Sequence, residues 1–284
     1  MANYESKRIG AILLRIIVTL VLIIITVAAA VGLAASYDFV ACLIAAVIGI
    51  MIIAAVSKAI KRSGADSIGN DLIPEILGES MELTTFSASK HFDPAELRST
   101  NALNCFTSAN GGGYIDGAAN GVHFVRCNVT LTDHVTDEIY NPDTGLYEQQ
   151  TSDATVFSGY VMRIEHDLPQ YAGVMVSSDS LDAPAISRKG EKLRSENGFS
   201  IYSSIGENIP VTLTDGLISL IKADDRPAIV TVTEKYLYII AATPKPQFTF
   251  GLFSSMNSNR EKILEQTEEL KRITEKADFI RFVK

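Results

Sequence analysis

The sequence predicts an α+β fold: a two-helix transmembrane hairpin, then an antiparallel β-rich roll with a short helix and a C-terminal amphipathic helix. Three observations carry that prediction. Two apolar runs near the N-terminus are each long enough to cross a bilayer. Period-two alternation and hairpin signals dominate from about Gly113 to Ala242. A heptad-like apolar stripe closes the chain from about Asn259.

The first run, Ile16 to Ala35, is apolar or small except at Thr19 and Thr26, and the second, Phe39 to Val56, has no charge. The hairpin therefore occupies residues 1–62, with spans at about 13–35 and 39–57 joined by the turn Ser36-Tyr37-Asp38. Ala28 and Gly32 on one span and Ala41, Ala45 and Gly49 on the other have the small-xxx-small spacing that lets helices approach closely. Lys7, Arg8 and Arg15 precede the first span, Lys58, Lys61 and Arg62 follow the second, and the turn has no base. The positive-inside rule then places the N-terminus and the following domain in the cytoplasm, as a multi-pass protein of the cell membrane. A cleaved signal peptide ending at Leu33-Ala34-Ala35 is the rival reading, but the run is too long and a second span follows at once.

The whole chain has 284 residues, a net charge of −8 and a mean hydropathy of +0.18. Residues 1–62 take six of the 25 bases and two of the 33 acids, which leaves residues 63–284 with a net charge of −12. An acidic domain excludes nucleic acid as an electrostatic partner, because phosphate neutralisation needs Lys and Arg. Arg188, Lys189, Lys192 and Arg194 form the one dense basic cluster and read as a solvated loop. Cys42, Cys105 and Cys127 form neither a disulfide framework nor a Cys-x-x-Cys motif.

Residues 63–284 read as one β-rich cytoplasmic domain. Lys61 to Ala65 is a polar exit from the membrane, and Ile68, Leu72, Ile73, Ile76 and Leu77 fit a short amphipathic helix with Pro74 near its start. Asp93 caps a helical turn with Pro94 first and Glu96 third. Val125, Cys127, Val129 and Leu131 form one face of a strand entered through hairpin signals at Asp116-Gly117 and Asn120-Gly121. Residues 133–153 read as a long exposed loop, 155–165 and 171–177 as strands, and 178–197 as a second loop. Strand pieces are expected at 199–202 and 211–213, and Thr214 caps a helix over 214–222. Strands at 228–233 and 236–242 flank Glu234-Lys235, and six to eight strands are expected in all. The C-terminal helix spans 259–280, opened by a Ser258/Glu261 capping box. Its stripe of Ile263, Leu270, Ile273, Ala277 and Ile280 packs on its own sheet or pairs with a second copy.

No catalytic, cofactor-binding or metal-binding residue is assigned. Gly111-Gly112-Gly113 lacks the Lys and the helix of a phosphate loop and reads as a flexible connection. His91, His123, His134 and His166 lack paired ligand spacing, although His123 and His134 could meet if the chain folded back. Phe157-Ser158-Gly159 lies in a strand rather than on a nucleophile elbow. Asp224-Asp225 and Asp133 with Asp137 lack the order of a calcium loop.

Several short motifs are similar to a bacterial family, the domain of unknown function 3137 family. They are Leu72-Ile73-Pro74-Glu75-Ile76-Leu77, Tyr114-Ile115-Asp116-Gly117, Phe157-Ser158-Gly159-Tyr160-Val161, Glu196 through Ser203, and Leu213-Thr214-Asp215. The resemblance runs from about Asp71 to Phe253; Asp215 replaces a common Pro, and Pro210-Val211-Thr212 replaces a more polar step. It implies a membrane-anchored, β-rich bacterial domain with no assigned activity or functional residues. Three functions remain: a non-catalytic module binding a protein partner at the inner membrane face, a lipid or small-ligand binder near Phe248, Phe250 and Phe253, or an enzyme with a non-contiguous site. Self-association through the membrane helices or the C-terminal helix is also open.

Overall fold

The computed structural model describes residues 2–36, 39–141 and 146–281. Tyr37 and Asp38 of the expected membrane turn lie outside the described residues. The chain divides into two compact units, Met1–Glu75 with Thr249–Lys262, and Ile76–Phe248 with Ile263–Lys284.

The first unit is built on α1 (Ala2–Ser36) and α2 (Phe39–Gly78). At about 1.5 Å per residue these helices are about 52 and 60 Å long, well beyond the roughly 30 Å of a bilayer's hydrocarbon. Both are long and apolar enough to cross a membrane. Their apolar side chains from Ile9 to Val31 and from Val40 to Ile52 are largely exposed, a surface that water does not tolerate but lipid does. Close approach comes through Gly49, where any side chain would overlap Thr26, whereas Gly32 has open space around it.

The polar exit expected at Lys61 to Ala65 is not a break. α2 continues through it to Gly78, with Arg62 paired to Asp66 one turn on and Ala11 packed against the bare Gly64. Pro74 therefore sits inside the last turns of a long helix rather than at the start of a short one.

Among the described residues the second unit is a nine-stranded sheet, one strand above the expected six to eight, antiparallel throughout. Its strands are β1 (Glu82–Ser87), β2 (Ser108–Ala119), β3 (Val122–Asn141), β4 (Leu146–Glu165), β5 (Val174–Ser178), β6 (Glu191–Glu196), β7 (Phe199–Ser203), β8 (Ala228–Val232) and β9 (Tyr236–Ala242). Their spatial order is β1-β2-β3-β4-β9-β8-β5-β7-β6. The β2–β3 turn is Asn120-Gly121, both at positive φ, as a two-residue hairpin with right-handed strand twist requires. Asp116-Gly117, the other expected turn, lies inside β2.

One sheet face buries Val125, Cys127, Val129, Leu131, Val161 and Ile240 against Phe92, Leu97, Leu103 and Phe106. The six-residue α3 (Pro94–Ser99) helps to cover it, with Asp93 at the N-cap but making no side-chain capping bond. The other face lies under α4 (Val211–Asp224) and the part of α5 (Met256–Ala277) that follows Lys262.

Residues 211–213, expected as strand, form the first turn of α4. Pro210 is the N-cap, and its carbonyl accepts the amides of Leu213 and Thr214. The α5 cap is Ser255, whose Oγ accepts the Ser258 amide at 3.2 Å, so the helix starts three residues before the expected capping box. Within the expected 178–197 loop, Glu191–Glu196 pairs with β7 as an edge strand. Its four charged residues and its bulge suit an edge that must resist further pairing.

Candidate functional site

Within the 133–153 stretch expected as a loop, residues 133–141 and 146–153 form a β-arm on the sheet unit, and residues 142–145 lie outside the described residues. β3 and β4 pair from Phe124↔Ile164 outward to Asn141↔Leu146, but β2 stops at Thr132 and β9 pairs only from Gly159. Beyond Thr132 the two strands run alone for nine residues, about 30 Å at strand rise. Each therefore carries one strand edge without a sheet neighbour among the described residues. The tip is apolar on both faces: Tyr140 and Tyr147 meet edge to face at 5.4 Å, while Ile139 and Leu146 lie on the other side. Tyr147 is 70% exposed and Leu146 66%. Six acids and no Lys or Arg lie between residues 133 and 153.

An open groove of about 690 Å³ lies where β4, β8 and β9 meet α3. Arg163 pairs with Glu96 there and stacks 4.9 Å from the Tyr236 ring, which meets Tyr238 edge to face at 5.9 Å. Two of the hydroxyls around it already donate to backbone: Ser99 to Glu96 O at 2.7 Å and Thr233 to Tyr236 O at 2.8 Å. A second hollow of about 450 Å³ shares Glu234, Lys235 and Tyr236 and contains His166. Burial holds the His166 imidazole below its ordinary pKa, so the ring is neutral near pH 7. Its Nδ1 accepts the Leu168 amide at 2.9 Å, which consumes the lone pair that a general base would use. Among the described residues the groove offers an ion pair and phenols, which suits polar recognition, and no nucleophile–base pair.

Beneath the helix-covered face lies a network that the sequence did not reveal. Arg126, 1% exposed, is sandwiched between the rings of Tyr160 at 4.0 Å and Phe248 at 4.9 Å. Its Nη2 donates to Gln247 Oε1, and Gln247 Nε2 donates to both Glu269 oxygens at 3.3 Å. Glu269 takes a bidentate pair from Arg226, which also donates to Asp224 Oδ1 at 2.8 Å. The Tyr160 hydroxyl lies beside Asp224. Among the described residues neither it, nor Asp224 Oδ2, nor Arg126 Nη1 meets a hydrogen-bond partner at normal geometry.

Burial pushes Asp224 up to about 6, reinforced by Glu269 and opposed by Arg226. Burial alone would raise Glu269 too, but the Arg226 fork overrides it and holds that carboxyl below its ordinary value. Asn128 completes the layer, accepting the Gln247 amide at 2.9 Å and donating to the carbonyls of Gly112 and Gln247.

The residues weighed from sequence do not converge. His123 and His134 both lie on β3, eleven residues or about 35 Å apart, and pair with Asp116 and Asp153. His91 Nδ1 bonds Phe92 O at 2.8 Å. Asp224 is buried in the network while Asp225 sits beside it in a left-handed conformation, so the two form no exposed pair. Asp133 and Asp137 are four residues apart along the arm. The basic cluster disperses: Arg188 donates to Leu181 O and Ser177 Oγ, Lys189 to Asn101, and Arg194 to Thr214.

The Gly111–Gly113 run is strand, not a flexible connection. A side chain at Gly111 would strike Asn128 O and one at Gly112 would strike Ala88 O. Burial lifts the Cys127 thiol to about 12, the state of an inert core residue. Phe248, Phe250 and Phe253 also part company: Phe248 lies under Arg126, Phe250 is buried, and Phe253 is 53% exposed.

The fold and these sites define an α+β protein with two helices suited to a membrane and a sheet unit carrying an arm and a polar groove. No protein-family model and no curated protein matches the sequence. Among solved structures the chain is similar to the mycobacterial trehalose monomycolate transport factor A, TtfA, at 7% identity and a TM-score of 0.30. That match covers 72% of this chain and 93% of the other, and at such a score it carries no argument about function.

Proposed function

We propose that this protein is a two-span anchor of the cell membrane, residues 1–62, carrying a non-catalytic cytoplasmic interaction module over residues 63–284. On this reading it belongs with the membrane-anchored domain of unknown function 3137 family, whose motifs it resembles. The β-arm is the observation that carries the reading. A two-stranded ribbon exposing Ile139, Tyr140, Leu146 and Tyr147 gives the fold little, because an isolated ribbon is marginal in water. It makes sense as a surface that a partner covers, through the apolar tip and the open strand edges.

Charge selects the partner. Six acids with no Lys or Arg repel anionic lipid and an identical arm alike, and they complement a basic protein surface. The C-terminal stripe of Ile263, Leu270, Ile273, Ala277 and Ile280 is buried within the chain, which leaves the membrane helices as the route to self-association.

A photo-crosslinking side chain in place of Tyr147 should give a discrete protein adduct in membranes. The adduct should disappear at high salt and when Asp133, Glu138 and Glu148 are changed to lysine. An adduct with lipid or with a second copy, or one indifferent to charge reversal, would sink the proposal. The orientation has its own check: a cysteine at position 37 should react with an impermeant reagent from outside the cell only, and labelling from the cytoplasm alone would reverse the topology.

A further inference from the structure

Six bases flank the two membrane helices, and they divide into two sets. Lys7, Arg8 and Arg62 are each matched by a carboxylate: Asp71 at 2.7 Å, Glu5, and Asp66 at 3.7 Å. Arg15, Lys58 and Lys61, the three nearest the apolar runs, have no carboxylate partner among the described residues. Arg15 spends its Nε on Ser57 Oγ at 2.7 Å, which ties α1 to α2 at that level.

A loop from the far end of the chain reaches the same place. Arg8 Nη1 donates to the carbonyls of Leu252 and Ser254 at 3.4 and 3.3 Å, and Leu252 is buried. Phe253, between them, is turned outward and 53% exposed. The Arg15 guanidinium stands 5.0 Å from its ring centre and the Lys61 ammonium 5.5 Å. Phe253 with Arg15 and Lys61 on its face sets an apolar ring beside two unneutralised cations. It is well matched to the layer where acyl chains meet phosphates.

We infer that Arg15, Lys61 and Phe253 form a seat for an anionic phospholipid headgroup at the bilayer edge, the phosphate between the cations and the ring among the upper acyl carbons. The inference rests on the membrane-spanning reading above. It gives the loop around Phe253 a function: a second contact with the bilayer, from a segment remote in sequence from the spans.

The chain contains no tryptophan, so Phe253→Trp gives the seat the chain's one indole, excited apart from its ten tyrosines at long wavelength. The full-length variant would be placed in bilayers of phosphatidylcholine with a minor share of phosphatidylglycerol, with bromine on the chains of one lipid or the other. Brominated phosphatidylglycerol should quench the indole far beyond its share of the bilayer, with a preference of about fivefold for each cation. Adding Arg15→Gln and Lys61→Gln should bring the two lipids close to parity. Ile24→Trp, in the middle of the first span, should be quenched by either lipid without preference.

If the indole at 24 is quenched while that at 253 is not, or shows no preference for the anionic lipid, the seat is overturned and the anchor stands. Equal preference with and without the cations overturns it too. No quenching at position 24 would remove the membrane-spanning reading itself.

Discussion

Replacing Arg126 with methionine should lower the thermal midpoint of the full chain in detergent by about 6–20 °C. The guanidinium is enclosed by Tyr160 and Phe248 and donates to Gln247, itself 5% exposed. Burial lowers its pKa, while Tyr160, Glu269 and Asp224 favour the charged form. Methionine keeps much of the packing against the rings but strands Gln247 Oε1 without a donor and removes a cation from beside Glu269. Removing one member of a buried charged network typically costs about 3–5 kcal/mol. At about 2–4 °C per kcal/mol for a unit of this size, the shift follows.

A second change separates the hydrogen bond from the bulk. Adding Gln247→Leu to the methionine variant removes the stranded oxygen, while Glu269 keeps its fork from Arg226. The double variant should therefore be less destabilised than the two single changes predict, by about 1–2 kcal/mol. A methionine variant melting with the parent would show that the network contributes nothing to stability.

That network also marks where the sequence stops being readable. Alternation on β3 assigned Val125, Cys127, Val129 and Leu131 to a buried face, as found. It did not place Arg126 and Asn128, because period two distinguishes two faces but not whether both are covered. Coverage of the second face depends on α4 and α5, which lie 85 to 150 residues further on. The one local hint was Arg126 set among Phe124, Val125 and Cys127.

The arm failed differently. Its composition is that of a loop, since a solvated ribbon needs no apolar core. Yet Val135 and Ile139 keep strand spacing, and the tyrosines at 140 and 147 flank a stretch, Asn141-Pro142-Asp143-Thr144-Gly145, whose residue types favour turns. The two long apolar helices were legible because each is apolar over an unbroken run of residues. The extension of the second to Gly78 was not, because beyond the apolar run a helix continues or stops according to what packs on it.

The pH dependence of the same network gives the other large effect. Asp224 is fully buried at its side chain, and its folded pKa of about 6 lies above the ordinary 3.8. The folded state thus holds that proton more tightly than the unfolded chain does. The contribution is complete below pH 3.8, declines as pH rises to about 6, and is absent above, a loss of roughly 3 kcal/mol.

Glu269 acts in the opposite sense. Its lowered pKa stabilises above the ordinary 4.5 and is lost as pH falls below it. The sheet unit should therefore be most stable near pH 4–5 with respect to this pair and weaken toward neutrality. Asp224→Asn removes the ionisation while keeping an oxygen for Arg226, and its amide can donate toward the unpartnered Tyr160 hydroxyl. The variant should melt several degrees above the parent at pH 8, a gain of about 1–3 kcal/mol, and close to it near pH 4. Thermal melts of parent and variant at the two pH values decide it. A variant less stable than the parent at pH 8 would mean that the Arg226 attraction outweighs the desolvation of Asp224, and that the carboxylate belongs in the network as an ion.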